Sequence, residues 1–124
     1  MKILIADDSR VMRQIVIRTL RQAGYSGHQY IEAGDGEEAL TQYLRHTPDL
    51  VLSDWNMPLR SGIDLLRALR LGGSRVPFGF ITFEGTEEIR KRAKAAGARV
   101  LITKPFTPES FAAELSPVLG PPVP

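Results

Sequence analysis

The sequence has no cysteine, which excludes disulfides, thiolate metal sites and thiol nucleophiles and agrees with a reducing compartment. It has no apolar run near the ~20 residues that a membrane span needs. The start, MKILIADD, meets two acids after too short an apolar stretch for the core of a secretion signal. The expectation is a cytoplasmic protein with no membrane contact. Charge of one sign is also missing: 16 Lys and Arg against 14 Asp and Glu leave a net +2. The small excess is uneven. Residues 1–62 carry 7 basic and 8 acidic side chains, residues 63–124 carry 9 and 6. No blanket of positive charge covers the chain, so no direct DNA binding is expected. Linkers, low-complexity segments and internal repeats are absent. The two histidines, His28 and His46, lack any partner spacing that suits metal or catalysis and read as surface residues.

At 124 residues, 43% hydrophobic and 24% charged, the chain is ordinary globular material with enough length for one core. Apolar runs alternate with helical patterns along it. KILIA (2–6) has the look of a strand buried on both faces. Asp7, Asp8 and Ser9 can cap the helix that follows. There Met12, Ile15, Val16, Thr19 and Leu20 share one face, with Arg10, Arg13, Arg18 and Arg21 off it. Gly24 stops that helix. QYIEA (29–33) is a second strand. The next helix places Ala39, Leu40, Tyr43 and Leu44 on one face and breaks at Pro48. DLVLS (49–53) is a third strand, before a helix marked by Ile63, Leu66 and Leu69. VPFGFIT (76–82) is a fourth strand, in which Gly79 is either a weak spot or a close backbone approach. A helix from Thr86 to Ala96 turns Ile89, Ala93 and Ala96 inward. Within it, Glu87–Lys91 and Glu88–Arg92 read as i,i+4 ion pairs on a solvated face. RVLIT (99–103) is the fifth strand, and Pro108 opens a last helix through Phe111, Ala112 and Leu115. Pro117 is expected to let it run little further. Five strand–helix repeats predict an α/β fold: a doubly wound, five-stranded parallel sheet with five helices, flavodoxin-like (β/α)5 in form. The domain is expected over 1–119, with 120–124 (GPPVP) as a Pro-rich tail, either a frayed end or the stub of a linker.

In such a sheet every strand points its carboxyl end toward one rim, where ligands bind. The residues just past those ends are Asp7 and Asp8, Asp54, Thr82 and Lys104. Each alone has a plainer reading: a helix cap, a turn acid, a β-branched strand residue, a solvated lysine. Together they have a chemistry. Three crowded carboxylates repel one another and call for a cation. Their oxygens suit a hard ion that keeps water, which describes Mg²⁺. Lys104 is a mobile charge for a phosphoryl oxygen, and the Thr82 hydroxyl can donate to another. These are the parts of phosphoryl transfer to an aspartate, with Asp54 as acceptor.

The motifs ADDS (6–9), SDWNMP (53–58), Gly62, IT (81–82), GA (97–98) and TKPF (103–106) resemble those of two-component response-regulator receiver domains, over residues 1–116. SDWNMP is similar to the stand-alone chemotaxis receivers of the CheY type. The resemblance implies a phosphoprotein of phosphorelay signal transduction, with Asp54 as the phosphoacceptor. It implies Asp8 as a direct Mg²⁺ ligand, Asp7 as one through water, and the Asn56 backbone carbonyl as a third. Lys104 would pair with a phosphoryl oxygen, Thr82 would carry the switch, and the Lys104–Pro105 bond would be cis. Asn56 and Glu84 hold the positions that tune loss of phosphate. Phe83 stands where a small residue is usual, and its ring is expected to crowd the phosphoryl pocket and alter dephosphorylation. Leu101 stands where many members have a switching Tyr or Phe, so an aromatic rotamer switch is unavailable there. Ser61 replaces the acid that commonly precedes Gly62, a helix-cap exchange. The implied phosphodonor is a sensor histidine kinase or a histidine phosphotransfer protein. The implied output surface is helix 4, strand 5 and helix 5, with Arg90, Lys91, Lys94, Arg99 and Leu101, docking a downstream protein; the state implied is monomer or weak dimer. On this reading the chain is no enzyme beyond its own phosphorylation and dephosphorylation.

The alternative is a receiver-fold module that binds without phosphorylation, an anionic ligand or partner meeting the basic helix-4 face. A haloacid-dehalogenase-type phosphatase is disfavoured, because its nucleophile and second acid stand two apart, whereas Asp7 and Asp8 are adjacent. A dinucleotide-binding domain is poorer still, since no GxGxxG follows the first strand.

Overall fold

A computed structural model describes residues 1–123. In chain order the elements are β1 (Lys2–Ala6), α1 (Arg10–Leu20), a π-helical turn (Arg21–Tyr25), β2 (Gln29–Ala33), α2 (Gly36–His46), β3 (Leu50–Ser53), α3 (Gly62–Leu71), β4 (Phe78–Thr82), α4 (Glu87–Ala96), β5 (Val100–Thr103) and α5 (Pro108–Leu119). All strand pairs are parallel, and the sheet order is β2-β1-β3-β4-β5. This is the doubly wound arrangement expected.

Strand alternation divides the core between the two faces of the sheet. Ile3, Ile5, Leu50, Leu52, Ile81, Val100 and Ile102 face α1 and α5, whose Val16, Leu20, Phe111 and Leu115 close that side. Leu4, Ala6, Val51, Phe78, Phe80 and Leu101 face α2, α3 and α4, with Ala39, Leu66, Leu69, Ile89 and Ala93. Gly79 is a close approach rather than a weak spot. A Cβ there would meet Leu52 at 2.9 Å and Val100 at 3.1 Å, side chains of two other strands.

Several local expectations give way. β4 begins at Phe78, because Pro77 has no N–H for the ladder, although its carbonyl still accepts from Val51 N–H at 3.0 Å. Asp49 lies outside β3, and its carboxylate accepts from Lys2 N–H at 2.8 Å. Leu44 is exposed rather than inward. α5 continues past Pro117 to Leu119 and is capped by Gly120, whose N–H donates to Ser116 O at 2.9 Å. A proline in the last turn removes one hydrogen bond without ending the helix. Neither helix-4 ion pair is formed among the described residues. Instead Arg92 lies over the Trp55 ring at 5.4 Å, and Arg90 Nε donates to Gly85 O at 3.2 Å. The tail from Gly120 to Val123 lies against the turn after α1. Val123 N–H donates to Gly24 O at 2.9 Å, and Tyr25 Oη donates to Gly120 O at 3.1 Å; Pro124 lies outside the described residues. His28 and His46 are half-buried rather than on the open surface. His28 Nδ1 lies 3.2 Å from the Met1 amino group. Among the described residues, no helix is long and apolar enough to cross a membrane.

Candidate functional site

The order of the sheet reverses at β1, which has β2 on one side and β3 on the other. A crevice at the carboxyl ends of the strands is the geometric result of such a reversal. Asp7 and Asp8 follow β1 and Asp54 follows β3, so three carboxylates meet there, each offering an oxygen within 4.8 Å of the others.

Backbone hydrogen bonds set this meeting. Asp7 N–H donates to Ala33 O at 3.1 Å, and Asp54 N–H donates to Ala6 O at 2.9 Å, so both acids prolong the ladder by one rung. Asp7 is buried, Asp54 half-buried and Asp8 exposed. Asp7 Oδ1 accepts from Ser9 N–H at 2.9 Å, and Ser9 caps α1 by accepting from Met12 N–H at 3.1 Å. Of the three capping candidates, Ser9 therefore caps and the two acids remain for other work. Asp54 Oδ1 accepts from Trp55 N–H at 2.8 Å. Trp55 itself is core, packed on Phe80 with ring centroids 4.7 Å apart.

Lys104, from the end of β5, completes the cluster. Its Nζ stands 3.4 Å from Asp7 Oδ2 and 3.6 Å from Asp54 Oδ2, with almost all of its side chain buried. One ammonium thus serves two acids. Burial raises the pKa of Asp54 from its ordinary value, and the Asp7 charge raises it further; Lys104 and the Trp55 N–H pull the other way. The cluster is short of positive charge, and its donors are hard oxygens. That is the chemistry of a divalent-cation site of the Mg²⁺ kind.

Thr82 is buried at the end of β4, and its Oγ1 accepts from Glu84 N–H at 3.1 Å. Among the described residues it makes no hydrogen bond to Asp54. Asn56 and Glu84 are exposed on the surrounding loops. The Lys104–Pro105 bond is cis. Phe83 is 71% exposed, and its ring centroid lies 5.0 Å from Lys104 Nζ. The ring thus faces the lysine, and with Met12, Ile15, Lys104, Pro105 and Phe106 it borders an apolar hollow of about 190 Å³. Leu101 is buried on the α4 side of the sheet. With Arg90, Lys94 and Arg99 it lines a groove of about 460 Å³ between α4 and β5. Lys91 is exposed on α4. Ser61 caps α3, accepting from Asp64 N–H at 3.2 Å.

Arg13 was not legible as part of this region. It sits off the apolar face of α1, as a solvated arginine would. Yet its side chain is only 15% exposed, and its Nη1 donates to Asp7 O at 2.7 Å. The only sequence signal is its place one turn past the Ser9 cap, which says nothing of direction.

Comparison with known proteins follows the same line. The family model described as the response regulator receiver domain matches residues 3–116. The chain is 38% identical over 123 residues to the chemotaxis protein CheY1 of Helicobacter pylori, covering 97% of this chain and 98% of that protein. It is 40% identical over 120 residues to CheY-3 of Vibrio cholerae, covering 95% and 91%. The crystal structure of CheY4 of Vibrio cholerae superposes with a TM-score of 0.83 at 37% identity, covering 95% of this chain and 98% of that one.

Proposed function

The chain belongs to the response regulator receiver domain family, and from that premise we propose that Asp54 accepts a phosphoryl group from a phosphohistidine. The observation that carries the reading is the convergence of Asp7, Asp8 and Asp54 on one another, with Lys104 between Asp7 and Asp54. Asp54 Oδ1 is occupied by the Trp55 N–H; Oδ2, on the lysine side, is the attacking oxygen. The new bond is Oδ2–P. The bond that breaks is N–P of the donor's phosphohistidine, whose ring nitrogen keeps the electron pair. Lys104 then turns to a phosphoryl oxygen. Asp8 would hold Mg²⁺ directly, Asp7 through water, and the Asn56 carbonyl would be the third protein ligand beside Asp54. A Mg²⁺ ion held there would supply neutralisation of charge on the phosphoryl oxygens.

Thr82 is the switch residue, moving its hydroxyl toward the phosphoryl group. Asn56, Phe83 and Glu84 tune the loss of phosphate. The output surface is α4, β5 and α5, where Arg90, Lys91, Lys94 and Arg99 favour a downstream protein with an acidic face. The phosphodonor is a sensor histidine kinase or a histidine phosphotransfer protein in the cytoplasm. The receiver unit spans 1–119, acts as a monomer or weak dimer, and catalyses only its own phosphorylation and dephosphorylation.

The test is Mg²⁺-dependent binding of beryllofluoride, a phosphoryl mimic, followed by the fluorescence of Trp55 and compared with Asp54→Asn. A saturable change in the wild type that is lost in the variant is expected. Intact mass after treatment with a small phosphodonor gives the independent readout. If neither the mimic nor a phosphoryl adduct is found on the wild type, the reading fails.

A further inference from the structure

The two other arginines of α1, Arg10 and Arg18, are exposed. Arg13 instead turns toward the sheet and makes two charged contacts. Its Nε donates to Glu32 Oε1 at 3.0 Å, and its Nη1 donates to the carbonyl oxygen of Asp7 at 2.7 Å. Glu32 is held in turn, since Gln14 Nε2 lies 3.1 Å from both of its carboxylate oxygens. Glu32 sits on β2 opposite Ile5, one rung from the end of the strand pair. A planar guanidinium gripped on one edge has little freedom to aim the other edge elsewhere.

The carbonyl it grips belongs to the peptide between Asp7 and Asp8. The preceding N–H, that of Asp7, is fixed to Ala33 O at 3.1 Å. So Asp7 is pinned on both sides, by β2 through its N–H and by Arg13 through its C=O. The Asp8 side chain has no such support of its own. It is exposed, and among the described residues its carboxylate accepts no hydrogen bond. Its Cα–Cβ bond leaves the chain between two held peptides, the one before it gripped by Arg13 and the one after it by the Ser9 N–H that donates to Asp7 Oδ1 at 2.9 Å.

We propose that Arg13, clamped by Glu32, is a positioning residue for the cation site: it fixes the Asp7–Asp8 peptide and so aims the Asp8 carboxylate toward Asp7 and Asp54. This rests on the proposed reading of the three acids as a Mg²⁺ site. Electrostatics alone makes the opposite forecast. A guanidinium beside the site repels a divalent cation, so its removal would tighten binding. Positioning requires that removal loosen it, because groups that orient metal ligands commonly control affinity by 10-fold or more.

The experiment measures the Mg²⁺ dissociation constant through Trp55 fluorescence, well below the melting temperature, with calorimetry as a check. The proteins are the wild type, Arg13→Gln, Arg13→Lys and, as a control on α1, Arg18→Gln. The expected result is binding about tenfold weaker for Arg13→Gln. Arg13→Lys, which keeps the charge but not the fork, falls between it and the wild type. Arg18→Gln leaves affinity unchanged or slightly tighter. A role confined to stability would lower the melting temperature of Arg13→Gln and leave its affinity alone. Unchanged or tighter binding in Arg13→Gln overturns the proposal, as does wild-type affinity in Arg13→Lys. If the wild type itself shows no saturable binding of Mg²⁺, the cation reading fails and takes this inference with it; if the wild type binds and Arg13→Gln binds equally, only the role of Arg13 falls.

Discussion

Asp54 carries its charge in a place that resists it. Its pKa is raised in the folded chain, chiefly by burial. The native state therefore holds this proton at pH values where the unfolded chain has lost it. Stability from this residue is greatest below its ordinary value of 3.8 and declines as pH rises toward the raised folded value. At neutral pH the charge is a net strain, so without metal Asp54→Asn melts higher than the wild type at pH 7, and the gain shrinks when both are melted in acid. A lower melting temperature at pH 7 would contradict this. Phe83 argues differently from its sequence position. Its ring meets Lys104 rather than the carboxylates, so removing it frees the lysine as well as the pocket. Phe83→Ala is expected to raise phosphorylation by small phosphodonors and the rate of dephosphorylation; time courses of both would show it, and unchanged rates would mean the ring is a bystander. Leu59 is strained for a simpler reason, with φ at +66° and 79% of its surface exposed. A left-handed conformation costs a branched side chain about 1–2 kcal/mol. Leu59→Asn should recover about 0.5–1 kcal/mol of that, read as a higher urea midpoint at unchanged slope.

Among the elements, α3 shows how the loop after Asp54 is tied to its scaffold. Gly62 opens α3, and its N–H donates to Trp55 O at 2.9 Å. A Cβ at this position would run into the carbonyl oxygen of Asp54, a backbone atom that has nowhere to go. Gly62→Ala should destabilise by about 1–3 kcal/mol and displace Asp54, with Mg²⁺ affinity falling alongside the melting temperature. Strands and helices were legible in the sequence where one periodicity ruled, as in KILIA or in the Ile89–Ala93 face of α4. Their ends were less so, because Pro77 and Pro117 act on hydrogen bonds whose partners lie outside the local window. The set Asp7, Asp8, Asp54 and Lys104 was legible because a parallel sheet brings every carboxyl end to one rim. Directions of long side chains were not. Spacing alone did not tell Arg13 from Arg10, nor foresee Arg92 on the Trp55 ring in place of a pairing with Glu88. Such choices depend on neighbours from other elements.

For the molecule as a whole, the acid cluster is the point where folding and ligand binding share one free energy. A cation that binds the native site and not the open chain stabilises by about 2.7 kcal/mol when present at 100 times its dissociation constant. Mg²⁺ should raise the melting temperature of the wild type at pH 7 and raise that of Asp54→Asn by less. Equal shifts for wild type and variant would place the cation elsewhere. Lys104 reaches Asp7 across 97 positions of the chain, and this separation also has a meaning in time. At a synthesis rate of ~5–20 residues per second, the stretch from Asp54 to Lys104 takes roughly 3–10 s to make. Through that interval a nascent chain owns its acids and lacks the lysine that quiets them. A nascent chain therefore completes the cluster of acids and lysine only after its last strand has been made.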